Sequence, residues 1–159
     1  MTTSQKVEQA WETPSQDEIP AISRMHVQAL ETMSADEVWI QAGMHHVLLQ
    51  VTGRKSGNVQ KVALPTWNDP NGNRIVVASF AGATSHPAWY VNLRDREANP
   101  EVLCTVQHGK YWSVPEILHG DDYTTTWKLL TADRAWYDDY QAKTPRRIPL
   151  VRLPETRPA

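Results

Sequence analysis

Short strand-like segments separated by turns dominate the middle of this chain. Residues of high β-propensity recur at positions 47–52, 59–67, 74–80, 102–106, 111–118 and 148–153, and the Gly, Asn and Pro residues between them are typical of turns. Two turn sequences, NDPNG and QHGK, predict hairpins. Because the chain shows no βαβ alternation and no GxGxxG motif, a Rossmann nucleotide site is not expected, and a small, mostly antiparallel β-barrel is the better architecture.

Helical patterns flank and interrupt these strands. An N-terminal helix that covers the sheet is predicted from apolar residues at nearly helical spacing, Ile22, Met25, Ala29 and Met33. Ser34 is suited to cap a second short helix.

Two further helical regions are predicted nearer the C-terminus. Ser85 marks the start of a short helix with Pro87 in its first turn. Asp121 and Asp122 open a longer helical region, and Asp133 is a candidate start for a separate final helix. The shared face of this region is formed by Tyr123, Trp127, Leu130 and Tyr137.

The chain has the length of a single domain. We assign residues 21–159 to that domain and expect the polar, acidic residues 1–20 to be largely disordered, because they match neither a signal peptide nor a membrane span. Cys104 is the single cysteine, so an internal disulfide and a cysteine-based zinc cluster are excluded, and a cytoplasmic location fits best.

The distribution of charge predicts a compact anionic ligand. The net charge of −2 argues weakly against nucleic acid, but between residues 38 and 94 Asp69 is the only acid, against five Lys and Arg residues. Within this basic segment, residues 53–57 (GRKSG) combine two glycines, backbone amides, two cations and a hydroxyl, which are the parts of a phosphate site. The spacing is not that of a Walker loop, and spacing alone favours an ordinary exposed hairpin.

A second segment joins the end of a strand to the start of a helix. Its small residues at 77–82 (VASFAG) would let a planar ligand approach the backbone. Ser79 and nearby amides could satisfy the carbonyls of a heterocycle, and Trp89 and Tyr90 could stack against it. The alternative, a plain strand-to-helix turn whose aromatic residues belong to the core, is equally open from the sequence.

Several reactive residue types have ordinary interpretations. His45 and His46 are adjacent on a strand, so their side chains should diverge, and no metal site is predicted. His86 is expected to make a structural hydrogen bond at a helix start rather than act as a base. Cys104 is expected in the core, since no cation or helix start lies beside it in the sequence.

From about residue 43 to residue 153 the chain resembles the deazaflavin-dependent nitroreductase family, whose members bind coenzyme F420 in a split β-barrel. The resemblance implies that fold for this chain, with helices before, within and after the barrel. The motifs that carry it are residues 52–57 (TGRKSG), 78–79 (AS), 86–93 (HPAWYVNL), 99–100 (NP), 137–141 (YDDYQ) and 147–149 (RIP).

The resemblance also implies roles for individual residues. The phosphate and acidic tail of the cofactor would be held by Arg54, Lys55 and Ser56. The strand along the deazaflavin would comprise Gln60, Lys61, Val62, Ala63, Leu64 and Pro65. The ring system would be lined by Val77, Ala78, Ser79 and Phe80. The part of the site that holds the cofactor's acidic tail would be completed by Ala88, Trp89, Tyr90, Val91 and Asn92. The catalytic candidates beside the substrate would be Tyr137 and Tyr140.

Three positions depart from the family pattern. Gln60 and Phe80 stand where many members carry basic residues, which predicts a weaker grip on the acidic tail or a different flavin, FMN or FAD. Lys61 could replace one of the missing charges. Arg134 stands where near relatives often carry Tyr, which predicts a changed substrate pocket.

The implied activity is an F420-dependent reduction of a small, hydrophobic, electron-poor molecule, in which the cofactor carries the hydride and the protein orients the reactants. A quinone, a nitro compound or an α,β-unsaturated lactone or ester of the coumarin or aflatoxin type would suit it, with Tyr137 the first choice as proton donor. The alternative is a non-catalytic carrier of F420, FAD or haem in the same barrel. We expect a monomer or homodimer with no nucleic-acid partner and no membrane span.

Overall fold

The computed structural model describes residues 5–159 of the chain. The helices are α1 (Ile19–Thr32), α2 (Asp36–Trp39), α3 (Ala88–Leu93), α4 (Gly120–Asp133) and α5 (Trp136–Ala142), and a 3-10 turn spans Phe80–Gly82. The strands are β1 (Ile40–Gln41), β2 (Met44–Thr52), β3 (Val59–Pro65), β4 (Trp67–Asn68), β5 (Arg74–Val77), β6 (Val102–Val106), β7 (Gly109–Ser113), β8 (Glu116–Ile117), β9 (Leu150–Leu153) and β10 (Arg157–Pro158).

The strands form two antiparallel sheets. One has the order β1-β2-β6-β7-β10, with β3 also paired to β2, and the other has the order β4-β5-β9-β8. The long strand β2 pairs with β3 from His46↔Pro65 to Thr52↔Val59 and with β6 through Leu49↔Cys104. The expected split β-barrel with inserted helices is confirmed.

A continuous core fills the space between the sheets. Alternate residues of β2, Val47, Leu49 and Val51, point into it and are almost fully buried, as expected when one face of a strand is packed. Leu93 of α3 joins this core. A second cluster lies under α4 and α5, where Leu130 and Ile148 are fully buried.

Prolines account for most of the differences between predicted and observed strands. The segment predicted at 59–67 ends at Pro65, and the chain resumes as β4 in the other sheet. The segment predicted at 111–118 is interrupted at Val114 and Pro115, and the last strand begins after Pro149. Proline has no N–H to donate to a neighbouring strand, so it ends regular pairing at each of these places.

The strand predicted at 74–80 is also too long. It ends at Val77. The N–H of Ala78 still donates to the carbonyl of Pro149, but Pro149 has no N–H to donate in return, and Phe80 then adopts a φ of 45°. Residues with positive φ cannot continue a strand. Phe80 therefore belongs to a tight turn at the end of the sheet.

The helix predicted to cover the sheet is present as α1, but the apolar residues whose spacing predicted it do not form its buried face. Ile22, Met25 and Met33 are 50%, 73% and 51% exposed, and the buried residues are Val27 and Leu30. The helix packs on β3 through this narrower face.

Other helix boundaries shift by a few residues. Asp133 ends α4 rather than starting a helix, and α5 begins at Trp136. Pro87 lies just before the first helical residue of α3, and Ala35 rather than Ser34 precedes α2. Tyr137 therefore belongs to a different helix from Tyr123, although both pack into the same cluster.

Residues 5–18 contain no helix or strand but contact the domain. The N–H of Val7 donates to the carbonyl of Asp133 over 3.0 Å, Gln5 hydrogen-bonds with the backbone of Asn68, and the Trp11 ring meets Trp136 edge-on at 4.9 Å. Residues 1–4 of the segment expected to be disordered lie outside the described part of the chain. Across residues 5–159 no helix combines the length and apolar character needed to cross a bilayer.

Candidate functional site

A cleft of about 770 Å³ opens between β3, the turn after β5, the start of α3, and α5. It is mostly apolar, with few charged groups, as small-molecule sites usually are. The predicted site residues that line it are Arg54, Gln60, Lys61, Val62, Ala63, Leu64, Pro65, Val77, Ser79, Phe80, Ala88, Trp89, Val91, Tyr137 and Tyr140.

The remaining predicted residues lie beside the cleft rather than on its wall. Ala78 and Tyr90 are buried in the core between the sheets, and Asn92 is also buried. Lys55 and Ser56 are exposed on the 53–57 turn, where Ser56 Oγ accepts a hydrogen bond from the N–H of Asn58. These five residues adjoin the cleft without lining it.

A tight turn closes one end of the cleft. The N–H of Gly57 donates to the carbonyl of Gly53 over 2.9 Å, and the N–H of Gly53 donates to Asn58 over 2.8 Å. A Cβ on Gly53 would stand 2.7 Å from Ser56 Oγ and 3.2 Å from Gln60 Nε2, so a larger residue there would displace these side chains. The 53–57 segment is therefore a compact hairpin turn that holds its cations at the mouth of the cleft.

Asn92 fixes the basic end of the cleft from behind. Its Oδ1 accepts hydrogen bonds from the backbone N–H of Arg54 and from Arg54 Nη1, over 3.1 and 3.2 Å. Its Nδ2 donates to Gln60 Oε1 over 3.1 Å. Asn99 holds Asn92 in turn by donating to its carbonyl. The motif residue Asn92 thus positions Arg54 and Gln60.

The positive charge of Lys61, which was expected to face the cofactor, is paired with an acidic residue of α1. Its Nζ lies 2.7 Å from Glu31 of α1, and both side chains are more than a third exposed. This pairing offsets part of the charge that Lys61 could offer in place of the basic residue absent at position 60. Arg24, on the same helix, lines the cleft and adds a cation that the sequence analysis did not identify.

Aromatic side chains form the opposite end of the cleft. Tyr137 is buried, and burial raises its pKa to about 12, although the positive charge of Arg134 acts in the other direction. The Tyr140 hydroxyl shares a 3.1 Å hydrogen bond with Thr13. Trp136 and Trp11 complete this wall. At neutral pH Tyr137 therefore keeps its phenolic proton inside an apolar chamber.

Arg134 lies behind the aromatic end instead of lining it. It is only 2% exposed, and its guanidinium donates to the carbonyls of Thr66 and Gln5 over 2.7 and 3.3 Å. Its effect on the pocket is thus indirect, through the N-terminal segment and Tyr137.

Part of the cleft wall comes from the N-terminal region and was not predicted from the sequence. Trp11, Pro14, Ile19 and Pro20 all line the cleft, although residues 1–20 were expected to be disordered. A lone Trp in a polar stretch is the one signal that could have indicated a packed segment. Met44 and Trp136 were missed because nothing in their local sequence sets them apart from core residues.

The residues given ordinary interpretations stay outside the chemistry of the cleft, except for His86. His45 is exposed and His46 buried, so the two rings lie on opposite faces of β2. Burial raises the pKa of the Cys104 thiol to about 12. Among residues 5–159 no group of three or more His, Cys, Asp or Glu side chains could hold a metal ion. His86 lines the cleft.

Known proteins resemble this chain in sequence and in fold. A family model described as F420H(2)-dependent quinone reductase matches residues 22–155. An F420H(2)-dependent quinone reductase of Mycobacterium tuberculosis is 33% identical over 110 residues, or 67% of this chain and 71% of that protein.

Two solved structures are similar as well. An F420-H2 dependent reductase, FDR-A, has a TM-score of 0.58 at 34% identity and covers 69% of this chain and 93% of its own. A structure described as a domain-swapped dimer has a TM-score of 0.61 at 28% identity and covers 82% of this chain and 96% of its own. Sequence and fold therefore point to the same group of proteins.

Proposed function

The chain belongs to the F420H(2)-dependent quinone reductase family, and on this premise we propose that it passes a hydride from reduced F420 to a quinone held at the aromatic end of the cleft. The observation that carries the proposal is that the lining of the cleft changes along its length from charged and polar, to apolar, to aromatic. Arg54 and Gln60 lie where β3 leaves the 53–57 turn, and apolar residues of β3 lead from there to Pro65, which pairs with His46. Met44, at that end of β2, packs in the same cluster as Tyr137 and Trp136. This order matches a cofactor with an anionic tail and a flat reactive head, followed by a flat substrate.

The residues present fit such a cofactor. A volume of about 770 Å³ is within the range of small-molecule sites. Val62 and Leu64 give the middle of the cleft an apolar surface, and Ser79 supplies a hydroxyl opposite them. A planar heterocycle with polar edges could bind in this space with its polar atoms near hydrogen-bond donors.

The tail would be held by the 53–57 turn. Arg54 is already oriented by Asn92, and Lys55 and Ser56 extend from the same turn into solvent, where a flexible anionic chain would lie. Arg24 would contribute a further positive charge from α1. These groups favour F420 over FMN, because they can serve an acidic tail as well as a phosphate.

When bound, reduced F420 supplies the hydride. The chain itself contributes orientation, a dry chamber and a proton. Trp11 and Trp136 shield the substrate end from water. Tyr137 is the proton donor because its phenol lines the substrate end of the cleft and is protonated at neutral pH; its pKa, raised to about 12, makes it a weaker acid than an ordinary tyrosine. Tyr140 is the second candidate, with its hydroxyl already oriented by Thr13.

Other electron-poor molecules suit the same walls. Nitro compounds and α,β-unsaturated lactones or esters share the flat shape of a quinone and accept a hydride. We propose them as secondary substrates.

Titration of the purified protein with F420, FMN, FAD and haem tests the cofactor, with tryptophan fluorescence as the readout. F420 should bind at least tenfold more tightly than FMN. Reduced F420 should then be consumed when menadione is added. Equal affinity for FMN would contradict the assignment of the cofactor, and tight F420 binding without turnover on a panel of quinones would favour a carrier.

Replacing Arg54 or Lys55 tests whether the 53–57 turn binds the anionic tail of the cofactor or is an exposed hairpin with no ligand. We predict that Arg54→Ala weakens F420 binding about tenfold or more, since it removes charged hydrogen bonds, and that Lys55→Ala has a smaller effect. The difference from wild type should shrink at 0.5 M salt because exposed charges are screened. Lys110→Ala, at an exposed position of β7 outside the cleft, is the control. An unchanged affinity in Arg54→Ala would contradict the assigned role.

The expectation of a monomer or homodimer can be tested at the same time. A structural relative described as a domain-swapped dimer supports the dimer. Light scattering coupled to gel filtration, with and without F420, would give the mass in each state.

A further inference from the structure

Arg146 lies under the turn that follows β5, at the edge of the cleft. Its Nε donates to the carbonyl of Ala83 over 2.8 Å. Its Nη1 donates to Ala78 over 3.1 Å, and its Nη2 donates to Ser79 over 2.7 Å. One guanidinium therefore holds three carbonyls of the same turn.

That turn has an unusual backbone. Phe80, Ala81 and Gly82 have φ values of 45°, 53° and 80°, so three consecutive residues lie in the left-handed region and two of them carry a Cβ. Such conformations are unfavourable for a residue with a Cβ and persist only where the surroundings impose them. Arg146 supplies that constraint from below the turn.

A fourth contact of Arg146 determines the state of His86. Arg146 Nη1 lies 3.0 Å from His86 Nδ1. A guanidinium can only donate, so Nδ1 must accept and the proton of the neutral ring must be on Nε2. The His86 ring is also held against Tyr90, at a centroid distance of 5.0 Å.

The charges around His86 oppose its protonation. Burial lowers its pKa, and the positive charges of Arg146 and Arg94 lower it further. His86 lines the cleft beside Ala81 and Ala88. It therefore presents an uncharged ring whose remaining polar group is the Nε2–H donor.

We propose that His86 is a cofactor-binding residue that donates its Nε2–H to a carbonyl or ring nitrogen of the F420 heterocycle, and that Arg146 is a positioning residue that fixes this tautomer together with the 79–82 turn. The inference rests on the proposed function. A flat heterocycle in this cleft would bury polar edge atoms against mostly apolar neighbours such as Val77 and Trp89, and buried acceptors need donors.

The tautomer matters because a free histidine divides its proton between the two ring nitrogens. A ring without Arg146 would present Nε2 as an acceptor for part of the time, and two acceptors facing each other repel. With Nδ1 engaged, Nε2 carries no lone pair for a proton. His86 is then a fixed donor and does not act as a general base from that atom.

Nitrogen-15 NMR of the cofactor-free protein tests the tautomer directly. His86 should show a protonated Nε2 and an unprotonated Nδ1 between pH 6 and pH 8, and Arg146→Gln should convert it to a mixture. A protonated Nδ1 in the wild-type protein would overturn the role of Arg146.

Equilibrium titration with F420 tests the donor. His86→Leu should weaken binding about tenfold, the effect of about one lost hydrogen bond. His86→Gln, whose amide can donate from a similar position, should stay within about threefold of wild type. His108→Leu, on an exposed turn outside the cleft, should bind as wild type. Arg146→Gln should weaken binding less than His86→Leu, because the ring still carries its proton on Nε2 for part of the time. Adding Arg146→Gln to His86→Leu should cost little more, because the tautomer no longer matters once the imidazole is gone.

Different results would overturn the role of His86 and the proposed function. If wild-type protein binds F420 and His86→Leu binds it equally well, the inference about His86 is overturned while the proposed function stands. If wild-type protein does not prefer F420 to FMN, the proposed function and this inference fail together.

Discussion

Among the single residues outside the cleft, His46 bears most directly on stability. It is buried, its Nδ1 donates to the carbonyl of Met44 over 3.0 Å, and its ring lies 4.6 Å from that of His26. Burial above all, and the nearby His26 next, lower its pKa to about 3. His46 is therefore neutral in the folded protein under conditions where an unfolded chain would protonate it.

This difference predicts a loss of stability in acid. Between about pH 6.5 and pH 3 the unfolded state binds a proton that the folded state does not, so the free energy of unfolding falls as the pH falls. The slope from this one group approaches about 1.4 kcal/mol per pH unit. His46→Asn, which can still donate to Met44, should lose that slope in urea titrations between pH 7 and pH 4.5. His119→Asn, at an exposed position, should keep it, and an equal slope in all three proteins would contradict the assignment.

Tyr137 carries a prediction about turnover. Because its pKa is raised to about 12, it should remain a proton donor throughout the range in which the protein is assayed. Tyr137→Phe should lower kcat for menadione roughly tenfold or more while the Kd for F420 stays within about twofold. Tyr123→Phe removes a hydroxyl that bonds the carbonyl of Ile148 away from the cleft wall, and it should leave kcat unchanged if folded. A loss of F420 affinity in Tyr137→Phe would assign the residue to the cofactor instead.

At the scale of elements, the 3-10 turn and α5 are in unusually close contact. A Cβ on Gly82 would stand 2.7 Å from the carbonyl oxygen of Tyr140 and 3.1 Å from Lys143 Cβ, and Gly82 has a φ of +80°. Gly72 has almost the same φ of +81° but no atom within 4 Å of such a Cβ. An alanine at Gly72 would therefore introduce only backbone strain, whereas an alanine at Gly82 would introduce the same strain and a steric overlap.

We predict that Gly72→Ala costs about 1 kcal/mol of unfolding free energy, the penalty of a left-handed alanine. Gly82→Ala should cost about 2–4 kcal/mol, because the overlap with α5 is added to the same penalty. It should also raise the KM for menadione, since it pushes against the helix that holds Tyr140. Chemical denaturation and initial-rate kinetics measure the two effects. Equal stability of the two variants would contradict the close packing.

The strands were predictable from the sequence because their signals are local. The alternation in β2 and the turn residues after β4 and β6 lie within a few positions of the structure they determine. The buried face of α1 could not be predicted, because spacing alone cannot distinguish Val27 and Leu30 from Met25 and Met33 without knowledge of the surface of β3.

The site was predictable where a motif marks it and not elsewhere. The 53–57 turn and the segment before α3 carry recognisable sequences. Arg146 contacts His86, which lies 60 positions earlier in the chain. Trp11 contacts Trp136, although the two lie near opposite ends of the sequence. Contacts of this range follow from how the sheets and helices pack, which no local pattern encodes.

At the scale of the whole molecule, the cleft unites segments that are distant in the chain. The N-terminal segment, β3, the start of α3, and α5 each contribute a wall. The second sheet is held to α4 and to the turn after β4 by Arg152, which lies 2.9 Å from both Asp69 and Asp122. A ligand that touches all four walls should therefore stabilise the domain as a unit.

Thermal unfolding gives the last prediction. At a free F420 concentration of 100 times its Kd, a ligand that binds only the folded state adds about 2.7 kcal/mol, which for a chain of this size raises Tm by about 5–10 °C. FMN at the same concentration should raise Tm by much less, and Arg54→Ala should need about tenfold more F420 to reach the wild-type shift. Calorimetry with each ligand measures these shifts.

Trp11→Ala tests where the N-terminal wall acts. If Trp11→Ala lowers Tm without F420 but shows the full shift with it, the N-terminal wall stabilises the fold without contacting the cofactor. A reduced shift would place that wall at the cofactor itself.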